Sequence, residues 1–145
     1  MERDRGSIGG MTYKFTIPTK NKKTPSLNEY IEAERVKIWN NGTKLLTKGA
    51  VMKREWQSFI SIFIRRDLKN LKIDKPVIIH YYYFEKDARR DVGNIHAPCQ
   101  KFTEDALQDC KVIKNDNQKC VVGFTASFAV DEENPRVEVE IEEIY

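Results

Sequence analysis

The sequence predicts an α+β domain, a small mixed β-sheet packed by helices in the order β-α-α-β-α-β-β. Tyr13, Phe15 and Ile17 alternate with polar residues, as do Val137, Val139 and Ile141, which is the period of strands with one buried face. Val77 to Phe84, VIIHYYYF, is apolar at nearly every position, the pattern of an interior strand covered on both faces. Met52, Trp56, Phe59, Ile60, Phe63 and Ile64 recur instead at helical spacing, so helices supply the other layer.

Each element has a local reason. Pro18 ends the first strand because it cannot donate to a ladder. The loop TKNKKTPS is too polar to pack, and Ser26 with Glu29 forms a capping box that starts a helix. Leu27, Ile31, Ile38 and Leu45 mark one helical stripe, with the poor helix formers Asn40, Asn41 and Gly42 as its weak point. Gly49 separates this helix from the next, whose aromatic residues follow a burial period and whose remaining surface carries Lys53, Arg54, Arg65, Arg66 and Lys69. His80, in the middle of the apolar run, reads as a satisfied core residue rather than a ligand. A third helix follows: Pro98 suits its first turn, and Cys99, Phe102, Ala106 and Cys110 recur at 3-4-4 spacing. Val121 to Val130 makes a strand in which Gly123 marks a bulge. After a turn at Glu132 to Pro135, the last strand has a buried face and an acidic face of Glu138, Glu140 and Glu142.

The chain has 145 residues, enough for one domain, taken as residues 11–145 behind a flexible leader, residues 1–10, of the kind cloning adds. No apolar run approaches the roughly 20 residues a membrane helix needs, so no membrane partner is expected. Cys99, Cys110 and Cys120 are odd in number and form no CxxC pair, which suits reduced thiols and a cytoplasmic setting. A net charge of only +3 hides an asymmetry. Arg35 to Lys72 holds ten Lys or Arg against two acids, while Asp131 to Tyr145 holds seven acids against one Arg. A basic helical region of that kind favours a polyanion such as nucleic acid, although a solvated helix face reads the same way.

The residues suited to chemistry concentrate between Arg89 and Asp116, RRDVGNIHAPCQKFTEDALQDCKVIKND. Asp91 follows two arginines at the end of the apolar run, Asp116 lies in a polar turn before the next strand, and Lys101 and Asp105 are neighbours at i and i+4. Carboxylates that hold Mg²⁺ beside bases that offset phosphate charge are what metal-dependent phosphodiester cleavage requires, although Arg-Arg-Asp at a strand end also suits a solvated ion pair. A helix returning the chain to the same sheet edge brings Asp91 and Asp116 within about 8 Å, close enough to share one ion.

Arg90-Asp91-Val92-Gly93-Asn94, then Lys101 four residues before Asp105-Ala106-Leu107, then Asn115-Asp116, resemble the signature of the RusA family of Holliday junction resolvases. Pro25 to Tyr30 and Lys53 to Trp56 extend the resemblance over nearly the whole chain. The resemblance implies an Mg²⁺-dependent endonuclease for four-way and other branched DNA, with Mn²⁺ able to substitute, working as a homodimer in phage or prophage recombination and repair. It implies Asp91 and Asp116 as catalytic metal ligands, with Asn94 and Asn115 supporting them. Lys101 would stabilise the developing phosphate charge, and Arg89 and Arg90, with Lys101, would hold the DNA. Gly93 stands where the family pattern has a second aspartate, and Asn115 replaces an acid. Asp105, Glu104 or Asp87 would have to supply a missing oxygen, and the alternative is a branched-DNA-binding protein that has lost cleavage.

Overall fold

The computed structural model describes residues 10–40, 42 and 44–144. The expected leader therefore falls outside the described residues, except Gly10, whose N–H donates to the Glu143 carbonyl at 2.9 Å. The elements are β1 (Thr12–Pro18), α1 (Leu27–Glu34), β2 (Lys37–Asn40), β3 (Lys44–Thr47), α2 (Lys48–Leu68), β4 (Val77–Glu85), α3 (Val92–Asp109), β5 (Val121–Val130) and β6 (Arg136–Glu143). β1, β6, β4 and β5 form a mixed sheet in that order, with β4 and β5 parallel and the other pairs antiparallel.

The alternation expected of the strands sets the core. Phe15 and Ile17 of β1, Val137, Val139 and Ile141 of β6, and Val77, Ile79, Tyr81 and Tyr83 of β4 are all buried. They join Trp56, Ile60 and Ile64 of α2 and Ile95, Phe102, Ala106 and Leu107 of α3 in one cluster. Burying those side chains, at about 1.5–3 kcal/mol each, is the main force holding the helices to the sheet.

β4 is not covered on both faces, as its unbroken apolar run suggests it should be. Ile78, His80, Tyr82 and Phe84 are only half-buried, on a face without helices. Cross-strand polar partners cover them instead. Nδ1 and Nε2 of His80 lie 2.7 Å from Thr125 Oγ1 and 2.8 Å from Glu142 Oε1, Tyr82 donates to Glu140 at 3.1 Å, and the Arg136 guanidinium lies 3.9 Å from the Phe84 ring centroid. His80 is satisfied as expected, but on the open face rather than inside the core.

Three helix boundaries differ from expectation. The Ser26–Glu29 capping box starts α1, but the helix stops at Glu34, and Lys37–Asn40 pairs antiparallel with Lys44–Thr47. The Asn-Gly pair there is a turn signal, and Gly42 takes φ +74°, a left-handed conformation that a side chain resists. Gly49 does not divide helices. Thr47 caps α2 by accepting from the Ala50 N–H at 3.0 Å, and Gly49 lies in the first turn. α3 begins at Val92, well before Pro98, which sits buried inside the helix. The ring costs one backbone bond, and burial of the proline with Ile95, Cys99 and Phe102 offsets that loss. β5 shows the expected irregularity: its register against β4 shifts so that Val122 is left over between Val121 and Gly123.

Candidate functional site

α3 positions every candidate residue, and it separates them into two groups. Its N-cap is Asp91, in extended conformation (φ −70°, ψ 132°), and the carboxylate makes no bond to the helix amides. The side chain is exposed, so its oxygens face solvent at the positive end of the helix. Val92 beside it lines a recess with Glu85, Phe128, Ala129 and Val130, which fixes this group at the C-terminal ends of β4 and β5.

Next to Asp91 lies a cleft of about 500 Å³ lined by Lys20, Lys22, Lys23, Lys86, Arg89 and Arg90, with Glu85 and Asp87 among them. Half of these cations come from the polar loop after β1, a segment that sequence reasoning treats only as unable to pack. The run Lys20-Asn21-Lys22-Lys23 is the signal that marks it as part of the site. Lys22 holds the loop onto α2, its Nζ lying 4.8 Å from the Trp56 ring centroid and 5.3 Å from that of Phe59.

The two arginines differ. Arg89 has a side chain 88% exposed and lies 3.8 Å from Asp87, so it is available to a ligand. Arg90 is committed to the protein: NH1 and NH2 donate to the Thr24 carbonyl and hydroxyl at 2.6 Å each, and Nε donates to Glu85 at 3.3 Å. It clamps the basic loop to the end of β4. Gly93, in the first turn, has open space around it, since an added Cβ would meet nothing within 4 Å. Asn94 is half-buried on the same turn.

The second group sits at the other end of α3. Glu104 is buried, 8% exposed, and accepts from Gln100 Nε2 at 3.0 Å. Burial raises its pKa, and the negative charges of Asp116 and Asp105 raise it further against the pull of Gln100 and Lys101. Asp105 pairs with Lys53 of α2 at 2.9 Å and with Lys101 at 3.8 Å, so the i, i+4 neighbours do meet. Lys101 keeps a side chain 54% exposed. Asn115 and Asp116 are exposed in the turn before β5, which Asn117 anchors by accepting from the Val121 N–H at 2.9 Å.

Asp91 and Asp116 therefore do not converge within one copy. At a rise of about 1.5 Å per residue, Glu104, whose carboxyl feels the charge of Asp116, lies about 20 Å along the helix from Asp91, and Lys101 about 15 Å. The reason is topological. β4 and β5 are parallel, so α3 must carry the chain from one end of the sheet to the other. Among the described residues, no three His, Cys, Asp or Glu side chains lie close enough to hold a metal ion. The donors of one copy do not by themselves fit Mg²⁺.

Cys99, Cys110 and Cys120 are free, as expected, and burial raises the Cys99 thiol pKa. No described helix is long and apolar enough to cross a membrane. Comparison with curated proteins finds no match. The sequence does match the family model described as Endodeoxyribonuclease RusA over residues 15–142, from β1 through every described helix to β6. With that match over nearly all its length, the chain belongs to the RusA family of endodeoxyribonucleases, the Holliday junction resolvases.

Proposed function

We propose that the protein is a divalent-metal-dependent endonuclease, using Mg²⁺ or Mn²⁺, that cleaves four-way DNA junctions in recombination and repair, acts in the cytoplasm and works as a homodimer. The observation that carries this reading is the uncapped, exposed Asp91 carboxylate beside a cleft lined by lysines and Arg89. Such a cleft binds DNA through its phosphates and supplies affinity without sequence. Arg89, Lys20, Lys23 and Lys86 hold the backbone there, while Arg90 fixes the shape of the cleft from behind. Lys101 offsets phosphate charge at the Asp116 group, and Asn94 and Asn115 support the two aspartates.

A second reading, junction binding without cleavage, is favoured by Gly93 and by the absence of an assembled metal-donor group among the described residues of one copy. The deciding experiment is incubation with a synthetic four-way junction and with linear duplex of the same sequence, in Mg²⁺, in Mn²⁺ and in EDTA. Junction-selective cutting abolished by EDTA is expected. Tight junction binding by folded protein with no cutting at any metal concentration would replace the nuclease reading with the second one.

A further inference from the structure

The paired strands β2 and β3 carry the most exposed large hydrophobic side chain among the described residues, Trp39, at 66% exposure. Strand alternation explains its direction. Ile38 and Leu46 are paired and half-buried, so the adjacent pair, Trp39 and Leu45, turns outward, with Lys37 on the same face. The root of this strand pair is held in place: the Lys48 N–H donates to the Val36 carbonyl at 2.6 Å, and the Thr47 hydroxyl donates to Glu34 Oε1 at 2.6 Å. Among the described residues the indole has no hydrogen-bond partner, and no ring or cation stacks on it.

The surroundings are positive. Residues 35–48 hold Arg35, Lys37, Lys44 and Lys48 and no acid. Arg35 is paired with Glu32 at 3.1 Å, while the three lysines are exposed. Basic surface continues along α2, where Lys53, Arg54 and Arg65 line a cleft of about 500 Å³. Thr47 precedes Lys53 by six residues, about 9 Å of helix, and the Lys53 ammonium lies 2.9 Å from Asp105, beside Lys101. The strand pair is therefore rooted near the Lys101 group of α3.

We propose that β2 and β3 form a branch-sensing element: Trp39 stacks on a base exposed where DNA arms meet, and Lys37 and Lys44 hold the phosphates beside it. The inference rests on the branched-DNA reading above and adds to it the residue that distinguishes a branch from plain duplex.

The occupant follows from chemistry. An apolar ring ringed by lysines calls for a partner that alternates flat apolar faces with negative charge, as nucleic acid does. A second copy of the chain would instead set one lysine-bearing strand pair against another, like against like. Lysines bind the phosphates of linear and branched DNA alike, so they cannot discriminate. Linear duplex hides its base faces within its own stack, whereas a branch leaves some of them open. The indole thus gains a partner only at a branch, and because every base has a π-face it selects structure without sequence.

Binding is measured in EDTA, so that cutting plays no part, to a four-way junction, a forked duplex and a linear duplex. Trp39→Ala should weaken binding to junction and fork on the order of ten-fold or more, the scale of one base–aromatic stack, and leave linear duplex unchanged. Trp39→Phe should recover most of the loss, and Lys37→Ala with Lys44→Ala should weaken binding to all three. Fluorescence supplies a readout that a structural role would not move. The chain has two tryptophans, and Trp56 is buried. The junction should quench wild-type emission, linear duplex should not, and the quenching should vanish in Trp39→Phe.

Circular dichroism checks that each variant folds; should Trp39→Ala not fold, Trp39→Thr, which suits a strand, serves. Wild-type affinity of the folded variant for the junction, or an equal loss on linear duplex, overturns the proposal. So does a fall in mass by light scattering, which assigns the face to contact between copies. A wild type that binds junctions with Trp39 quenched yet never cuts them supports the proposal and removes the nuclease reading. A wild type that cuts junctions, with a Trp39→Ala variant that binds them as tightly, does the reverse.

Discussion

Arg90 is a residue whose type is legible in the sequence and whose role is not. Its charge beside Asp91 points to phosphate binding, yet its guanidinium is spent on Thr24 and Glu85. Arg90→Ala should lower stability by about 1.5–3 kcal/mol, the range for hydrogen bonds to a charged group, measured by urea denaturation. An unchanged midpoint would mean that the clamp carries no weight. Gly93 gives the opposite expectation. It has room for a side chain and no left-handed φ, so Gly93→Asp should be tolerated. An acid in the first turn of a helix contributes about 0.3–1 kcal/mol, and losing a helical glycine adds to that. The melting temperature should rise, and cleavage should increase if the new carboxylate joins Asp91. Glu104 predicts a pH dependence. Its folded pKa is raised, chiefly by burial, above an unfolded value of about 4.3. Between those two values the native state holds more protons than the unfolded chain, so stability falls as pH rises through the window and levels off above it. Glu104→Gln should remove this part of the slope and be the more stable protein near neutrality, as thermal melts across pH would show.

At the scale of elements, local chemistry decides what it can reach. Ser26 and Glu29 are identifiable as a capping box because both bonds lie within one turn, and both are present: Glu29 N–H to Ser26 Oγ at 3.0 Å and Ser26 N–H to Glu29 Oε1 at 2.9 Å. Ser26→Ala should cost about 1 kcal/mol by the same denaturation measurement, and a loss under about 0.3 kcal/mol would show that α1 is held by packing alone. The stripe through Ile38 and Leu45 misleads because their spacing fits a helix while their neighbours favour a hairpin. Val36, Ile38 and Trp39 suit strands, and the sequence Asn41-Gly42 is a turn signal. Pro98 misleads in a similar way, since a buried proline is tolerated inside a helix when tertiary packing offsets the missing bond.

For the whole molecule, the layers divide the charge. The basic groups of α2 and of the loop after β1 lie on the helical side, whereas Glu138, Glu140 and Glu142 lie across the open face of the sheet, hydrogen-bonded by Arg136, Tyr82 and His80 respectively. This division favours a polyanion on the helical side. Replacing Lys20, Lys23 and Lys86 together by Ala should weaken junction binding. It should also flatten the dependence of log affinity on log salt by about 0.9 for each phosphate no longer neutralised. An unchanged slope would place the DNA elsewhere.

The sequence by itself determined the α+β class, the buried faces of β1 and β6, the capping box and the family, because each is written in neighbouring residues or in a short ordered signature. Only the tertiary structure decided that one face of the sheet is open, that Arg90 is a clamp, that the loop lysines border Asp91, and that Asp91 and Asp116 stand at opposite ends of α3. The physical reason is that these depend on the parallel pairing of β4 with β5. That long-range choice leaves no local periodicity, and it turns two aspartates on either side of one helix into members of different groups.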